Sequence, residues 1–238
     1  MPPSPSQASQ TIAGEPSHQP FGVDAWPSSY GAAALRVEKL HVRRGQALII
    51  RDLSFAIDAG HAVHIAGENG AGKTTLLRAM AGLLPADFSR MQFGADALFP
   101  EDMHLVGHRE GLKSRLTVWE NLKAVSQIMG GASHAPQQIL QALQIMGLVS
   151  HQDRLVSDLS AGQRRRAALA RLIIVPRPIW LLDEPLTALD RAARDLLDHM
   201  VGAHLGRGGI VVATSHEPLR FAERQLALAH AQPGEGLA

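Results

Sequence analysis

The chain has 238 residues, which is enough for one domain or at most two small ones. Its residues are 45% hydrophobic and 19% charged, a balance typical of a folded chain. Lys and Arg number 23 against 22 Asp and Glu, and this net charge of +1 argues against a dedicated nucleic-acid-binding protein. The lack of cysteine excludes disulfides and a cysteine nucleophile, and it favours a reducing compartment. Because no apolar run approaches about 18 residues, we expect no membrane span.

The first 33 residues differ in composition from the rest. They hold six of the 14 prolines and contain no Lys or Arg. Such a segment cannot bury enough apolar surface to offset the entropy lost on ordering. We therefore predict a disordered extension over residues 1–33, a folded domain over 34–230 and a flexible tail over 231–238.

Strand and helix patterns alternate along the folded part. Strands are predicted at Leu35–Leu40, Leu53–Ile57, Ala62–Ala66, Ile179–Leu182 and Ile210–Thr214. Helices are predicted from Thr74 to Leu84, within 117–147 and from Gly162 to about Val175. Thr117 and Glu120 have the spacing of a capping box, and Pro136 suits the first turn of a helix. This pattern indicates an α/β fold with a helical insert at about 110–158.

A glycine-rich segment after the third predicted strand fits the phosphate-binding pattern G-x-x-x-x-G-K-[ST]. Its glycines allow successive backbone N–H groups to point at phosphate oxygens, and the following helix directs its positive end at the same anion. Lys73 supplies a charge to the phosphates, and Thr74 offers a hydroxyl to Mg²⁺. The predicted nucleotide-binding residues are Gly67, Glu68, Asn69, Gly70, Ala71, Gly72, Lys73, Thr74 and Thr75.

Two acids end the strand predicted at Ile179–Leu182. Ligands of α/β folds bind at this carboxyl edge of the sheet. Asp183 is therefore predicted to hold Mg²⁺, directly or through water. Glu184 is predicted to be the general base that polarises the attacking water.

Leu159–Gln163 reads LSAGQ and resembles the LSGGQ signature of ATP-binding cassette (ABC) ATPases, with Ala161 in place of a glycine. The order of the motifs is also similar to that family. Ser160 follows Lys73 by 87 residues, Asp183 follows Ser160 by 23, and His216 follows Asp183 by 33. Thr187–Asp190 resembles the family's D-loop.

That resemblance implies a P-loop NTPase domain with a RecA-like parallel sheet, an antiparallel β subdomain and a helical subdomain. It implies ATP and Mg²⁺ as ligands, and a head-to-tail sandwich of two copies of the chain. In the sandwich, the signature residues Ser160, Ala161, Gly162 and Gln163 of one copy would close over the γ-phosphate held by the other. Asp190 would cross the same interface, and His216 would hold the attacking water together with Glu184.

Two positions depart from the family pattern. His108 stands where the family has a glutamine that reaches Mg²⁺ and senses the membrane partner, and a neutral imidazole can coordinate from the same place. We hypothesise that His108 is the coupling residue. Arg44 stands where the family has an aromatic residue that stacks on adenine. Its guanidinium either stacks on the base or is a solvated loop charge.

Three consecutive arginines, Arg164–Arg166, follow the signature. On a helix such a run favours a solvated or interface face over a nucleic-acid patch.

Several local features resemble the ATP-binding subunits of the bacterial haem exporters of cytochrome c maturation. They are Leu105–His108, Gly111–Lys113, Glu120–Leu122 and Ala168–Leu172, read together with the signature. The resemblance implies a peripheral protein on the cytoplasmic face of the inner membrane, bound to multi-span permease subunits. The chain has no cysteine and no histidine in a familiar haem-ligand frame, so haem itself is expected to be bound by partners.

Three alternatives stay open from the sequence. The chain is the ATPase of another small exporter, a soluble cassette ATPase acting on ribosomes or DNA, or a member that binds ATP without hydrolysing it. The single cassette and the small net charge weigh against the second. The set of Lys73, Asp183, Glu184 and His216 weighs against the third.

Overall fold

A computed structural model describes residues 26–108, 110–130 and 136–228. Within them the strands are, in chain order, β1 (Leu35–Arg44), β2 (Ala47–Ile57), β3 (Ala62–Ala66), β4 (Ala86–Asp87), β5 (Arg90–Phe93), β6 (Asp96–Ala97), β7 (Met103–Val106), β8 (Ile179–Asp183), β9 (Ile210–Thr214) and β10 (Arg224–Ala227). The α-helices are α1 (Lys73–Met80), α2 (Val118–Gly130), α3 (Pro136–Ile145), α4 (Ala161–Ile174) and α5 (Arg191–Leu205).

The strands form two sheets. One is parallel, in the order β10-β3-β9-β8-β7. The other is antiparallel, in the order β2-β1-β5-β6, with β4 also paired to β1. Parallel neighbours cannot be joined by a hairpin, so a crossover must connect consecutive strands of this sheet, such as β7 and β8 or β8 and β9. Such crossovers explain why helices cover this sheet.

The parallel sheet is buried on both faces, as its continuous apolar strands predict. Alternate residues of β8 enter different clusters: Trp180 and Leu182 pack with α4 and α5, and Ile179 and Leu181 pack with α1 and the antiparallel sheet. All five residues of β8 and of β9 are buried. The site at the carboxyl ends of these strands therefore rests on a rigid base.

Most elements predicted from periodicity are confirmed. The Thr117 hydroxyl accepts the Glu120 N–H at 3.1 Å, and the Glu120 carboxylate accepts the Thr117 N–H at 2.8 Å, so the capping box forms. The third helix begins at Pro136, as expected. The first helix is shorter than predicted and ends at Met80 instead of Leu84. Gly82, with φ of 70°, turns the chain out of the helix.

The prediction that residues 1–33 form a disordered extension is wrong for its last part, because the chain packs against the domain from Trp26 onward. Trp26 is only 6% exposed, and its indole N–H donates to the Leu172 carbonyl at 3.1 Å. The Tyr30 N–H donates to the Arg207 carbonyl at 2.7 Å. The proline-rich composition gave no indication that Trp26 and Tyr30 both pack against His204, and this packing offsets the entropy lost when the short segment is ordered. Residues 1–25 and the predicted tail at 231–238 lie outside the described residues.

Candidate functional site

A cleft of about 400 Å³ opens where β3, β8 and β9 end. It collects residues from the phosphate loop, from the ends of β1 and β8, and from the turn after β9. The residues that line it are Arg44, Ile49, Glu68, Asn69, Gly70, Gly72, Lys73, Thr74, Thr75, His108, Asp183, Glu184, Thr187 and His216. The predicted catalytic and metal-binding residues are thus brought together at the edge where α/β folds bind ligands.

The phosphate loop is shaped by glycines in left-handed conformations. Gly70 and Gly72 have φ of 86° and 96°, and a Cβ at Gly72 would lie 2.8 Å from the Ile49 side chain. The loop therefore packs closely on β2 as it enters α1. Lys73, the first residue of α1, donates from Nζ to the carbonyls of Gly67 at 2.7 Å and Glu68 at 3.2 Å. Its ammonium is held inside the loop, where phosphate oxygens bind.

Asp183 receives hydrogen bonds from two hydroxyls. Thr74 Oγ1 lies 3.0 and 2.9 Å from its two carboxylate oxygens, and Thr214 Oγ1 donates at 2.8 Å. The carboxylate is only 2% exposed, so its orientation is strongly restricted. The donor set of a carboxylate and a threonine hydroxyl consists of hard oxygens, the ligands that Mg²⁺ prefers. Asp183 and Thr74 therefore fit the expected metal.

Glu184 and His216 face each other across the end of the sheet. The His216 backbone N–H donates to one Glu184 carboxylate oxygen at 3.3 Å, and His216 Nε2 lies 3.5 Å from the other. The Glu184 side chain is 19% exposed, so it reaches the cleft while remaining in a fixed position. A carboxylate held in this way beside the phosphate loop is placed to accept a proton from water.

His108 and Arg44 both reach the cleft wall. His108 follows β7 and is exposed, and Arg44 is the exposed last residue of β1. Each therefore lies where the resemblance places a residue that contacts metal or base. Stacking of Arg44 on the base and coupling by His108 stay predictions.

Three of the four predicted signature residues, Ser160, Gly162 and Gln163, line a second concavity of about 250 Å³, and Ala161 does not. Ser160 caps α4: its hydroxyl accepts the Gln163 N–H at 3.2 Å, and its N–H donates to Gln163 Oε1 at 2.8 Å. Asp190 caps α5 by accepting the Ala193 N–H at 2.8 Å. Two helix N-termini therefore meet in this concavity, which also contains the Arg166 side chain and the Asp190 carboxylate.

Glycine is required at Gly162, because a Cβ there would lie 2.8 Å from the Ala188 carbonyl. The signature helix and the D-loop segment are thereby in direct backbone contact. Among the described residues, none lines both the cleft that contains the phosphate loop and the concavity that contains the signature. A single copy of the chain thus holds its phosphate loop and its signature apart.

We expected Arg164–Arg166 to form a solvated or interface face, and this expectation is wrong for Arg165. Arg165 is 3% exposed. Its guanidinium donates to the carbonyls of Gly107, Asp183, Glu184 and Pro185 at distances between 2.7 and 3.3 Å. Burial lowers the pKa of Arg165 from its ordinary value, and the nearby carboxylates of Glu110, Asp183 and Glu184 oppose that shift. Four carbonyl acceptors replace the water that burial removes.

Thr214 and Thr187 belong to the site but were not predicted. Thr214 ends β9 and pairs in register with Asp183 of β8, so its hydroxyl is adjacent to the carboxylate. The parallel alignment of the two strands was available from the sequence and indicates this contact. Thr187 follows Glu184 by three residues, and its N–H donates to the Glu184 carbonyl at 3.3 Å.

Comparison with known proteins agrees with this geometry. Residues 50–187 match the ABC transporter family. The chain is 46% identical over 193 residues to the cytochrome c biogenesis ATP-binding export protein CcmA of Rhizobium meliloti, covering 79% of this chain and 93% of that protein. It is 41% identical over 197 residues to the protein of the same name from Agrobacterium fabrum, covering 80% and 92%.

Solved structures share the fold at lower identity. A putative ABC transporter ATP-binding protein from Pyrococcus furiosus superposes with a TM-score of 0.68 at 22% identity, covering 82% of this chain and 97% of that one. An ATP-binding subunit of an ABC transporter superposes with a TM-score of 0.73 at 21% identity, covering 82% and 85%. The family match and the curated relatives together lead to one assignment: the chain belongs to the ABC transporter ATPases and, among them, to the CcmA family of cytochrome c biogenesis ATP-binding export proteins.

Proposed function

We propose that the chain hydrolyses ATP as the energy-supplying subunit of a membrane complex that exports haem, or releases a haem-loaded chaperone, during cytochrome c biogenesis. The observation that supports the hydrolytic part most directly is the Glu184 carboxylate, which accepts the His216 backbone N–H at 3.3 Å in the cleft that contains Lys73 and Asp183. The names of the curated relatives support the biological setting.

The phosphate loop binds the triphosphate. Its backbone N–H groups and the start of α1 surround the phosphate oxygens, and the Lys73 ammonium pairs with their charge. Thr74 and Asp183 are the residues that would hold Mg²⁺, and the ion would supply positive charge that offsets the charge of the triphosphate. The Thr214 hydroxyl keeps Asp183 in its orientation.

Glu184 acts as the general base. Its carboxylate accepts a proton from a water that attacks the γ-phosphate in line with the departing ADP. His216 restrains that carboxylate from both of its oxygens and positions the same water. This arrangement lowers the entropy cost of bringing water, base and phosphate into line.

Two copies of the chain complete each nucleotide site. Ser160, Gly162 and Asp190 lie in a concavity separate from the phosphate loop, so one copy offers two half-sites. In a head-to-tail sandwich, the α4 N-terminus of one copy covers the γ-phosphate held by the other. ATP binding thereby stabilises the closed pair, and hydrolysis releases it.

Membrane subunits supply the transport path. Among residues 26–108, 110–130 and 136–228 no helix has both the length and the apolarity needed to cross a bilayer. We propose that the chain binds the cytoplasmic side of multi-span permease subunits in the bacterial inner membrane and that haem is bound by those partners. The test is co-purification from detergent-solubilised membranes with haem assayed in the same preparation. Co-purification with an exporter free of haem would instead assign the chain to another small transporter.

Glu184→Gln tests the hydrolytic assignment. The amide retains the shape of the carboxylate but cannot accept the proton, so we expect turnover to fall by roughly 100-fold or more. ATP affinity should stay within about twofold, and the variant should form a stable ATP-bound pair detectable by gel filtration. Glu223→Gln, at an exposed position outside the cleft, is the matched control. Full turnover by Glu184→Gln would overturn the assignment of the base.

His108→Ala tests coupling to the membrane subunits. We expect the stimulation of ATP turnover by those subunits to be lost, and His108→Gln to restore part of it, because an amide presents an acceptor from a similar position. Turnover and stimulation that match those of the unmodified chain would show that His108 is not the coupling residue.

A further inference from the structure

Arg165 is a buried charge on the signature helix, and its guanidinium contacts two separate segments. It donates to Gly107 just before His108, at 2.7 Å. It also donates to the carbonyls of Asp183 and Glu184, at 3.0 and 2.8 Å, and to that of Pro185 at 3.3 Å. The side chain joins α4 to the two segments that carry the predicted base and the predicted coupling residue.

The contact with Glu184 occurs at a strained point of the backbone. Glu184 has a φ of 50°, which is unfavourable for a residue with a Cβ. Its N–H donates to the carbonyl and hydroxyl oxygens of Thr214, at 3.2 and 3.1 Å. Its carbonyl accepts from Arg165. The residue is therefore held from both sides in a conformation it would not adopt alone, and this conformation sets where its carboxylate points.

A second arginine of α4 contacts the strand that leads to Gly107. Arg171, six residues further along α4, donates from Nη2 to the Leu105 carbonyl at 2.5 Å. Arg165 then contacts Gly107, two residues on. The end of β7 and the approach to His108 are thus fixed to α4 at two points. Movement of α4 would displace the His108 segment with it.

We propose that Arg165 is a positioning residue for ATP hydrolysis, which orients the Glu184 carboxylate and links the signature helix to the segment that carries His108. The inference rests on the proposed role of Glu184. Arg165 does not contact the cleft itself, since it is absent from the described residues that line it. Its effect is therefore on turnover more than on ATP binding.

Arg165→Gln and Arg165→Lys test the proposal in the full chain purified with its membrane subunits. Neither side chain can donate to all four carbonyls, so kcat should fall by roughly 10- to 100-fold, while KM for ATP stays within about twofold. Arg154→Gln, at an exposed position in the helical insert, is the matched control and should leave both constants unchanged. Unchanged kcat in both Arg165 variants would overturn the proposal.

A double-variant cycle separates positioning from general destabilisation. If Arg165 acts through Glu184, then Arg165→Gln should reduce turnover little further in a chain that already carries Glu184→Gln. If the two substitutions reduce turnover independently, so that their fold losses multiply, Arg165 has a purely structural role and the proposal is overturned. Failure of both Arg165 variants to bind ATP would overturn it in the same way. Full turnover by Glu184→Gln alone would instead refute the proposed base, whatever Arg165 does.

Discussion

The Thr214 hydroxyl donates to the Asp183 carboxylate across 2.8 Å, from the neighbouring strand of the parallel sheet. Thr214 is fully buried and Asp183 is 2% exposed, so water cannot replace this bond. The oxygen that accepts from Thr214 also lies 3.0 Å from Thr74 Oγ1. Thr214 at the end of β9 thus orients Asp183, the predicted metal ligand at the end of β8.

Thr214→Val should weaken Mg²⁺ binding. Valine has the shape of threonine but no donor, and a hydrogen bond to a charged group contributes about 1.5 kcal/mol, which corresponds to a roughly tenfold higher half-saturating Mg²⁺ concentration. The measurement is ATP turnover against Mg²⁺ concentration. Thr214→Ser keeps the hydroxyl and is the control. Equal Mg²⁺ dependence in all three chains would contradict the assigned role.

Arg44→Ala distinguishes the two interpretations of that residue. If the guanidinium stacks on adenine, its loss should raise the Kd for ATP by roughly 3- to 30-fold. Arg43 is also exposed, but it points to the opposite face of β1, so Arg43→Ala is the matched control. Equal affinity of the two variants, measured by equilibrium binding, would identify Arg44 as a solvated loop charge.

Two buried histidines make stability depend on pH. Burial lowers the pKa of His104 to about 3, with a further lowering by Arg171, and burial lowers the pKa of His204 to about 3. The unfolded chain binds these protons below about pH 6.5 and the folded chain does not, so stability falls as pH drops from there toward 3.

The expected loss is about 1.4 kcal/mol of unfolding free energy per pH unit for each histidine below that point. Urea unfolding at pH 7.5 and pH 5.5 measures it. His204→Phe removes one of the two groups and should reduce the difference between the two pH values. If His204→Phe leaves the difference in unfolding free energy between pH 7.5 and pH 5.5 unchanged, His204 is protonated in the folded chain at pH 5.5.

Trp26→Ala should destabilise the domain. The side chain is 6% exposed, and its ring lies 5.4 Å from that of Trp180 in an edge-on arrangement. Removing a buried tryptophan costs about 3 kcal/mol. Leu83→Ala, at a residue that is 65% exposed, is the control. Equal denaturation midpoints for Trp26→Ala and the unmodified chain would show that the segment from Trp26 does not stabilise the fold.

The sequence predicted most of the residues that line the cleft, although it did not indicate Ile49 or Thr187. Lys73, Asp183, Glu184 and His216 each follow a short apolar strand directly or within a few residues, and parallel strands bring such positions to one edge. The spacing of these motifs also indicated the family. Local sequence patterns predict these positions because the functional side chains of each motif lie near the end of a strand.

Two features could not be predicted, because they depend on distant partners. Arg165 is identical in type to its neighbours Arg164 and Arg166, and only four carbonyls from two distant segments make its burial favourable. Trp26 lies among prolines and serines, and its anchoring depends on a carbonyl 146 residues away. Neither contact produces a periodic signal.

The aromatic cluster behind the parallel sheet determines what intrinsic fluorescence can report. Trp180 is stacked on His204 with ring centroids 3.9 Å apart, and Trp26 lies against both rings. The third tryptophan of the chain, Trp119, is in α2. None of the three is among the residues that line the nucleotide cleft. Tryptophan emission is therefore a probe of how the amino-terminal segment and the helical insert are packed, and nucleotide occupancy requires a labelled nucleotide.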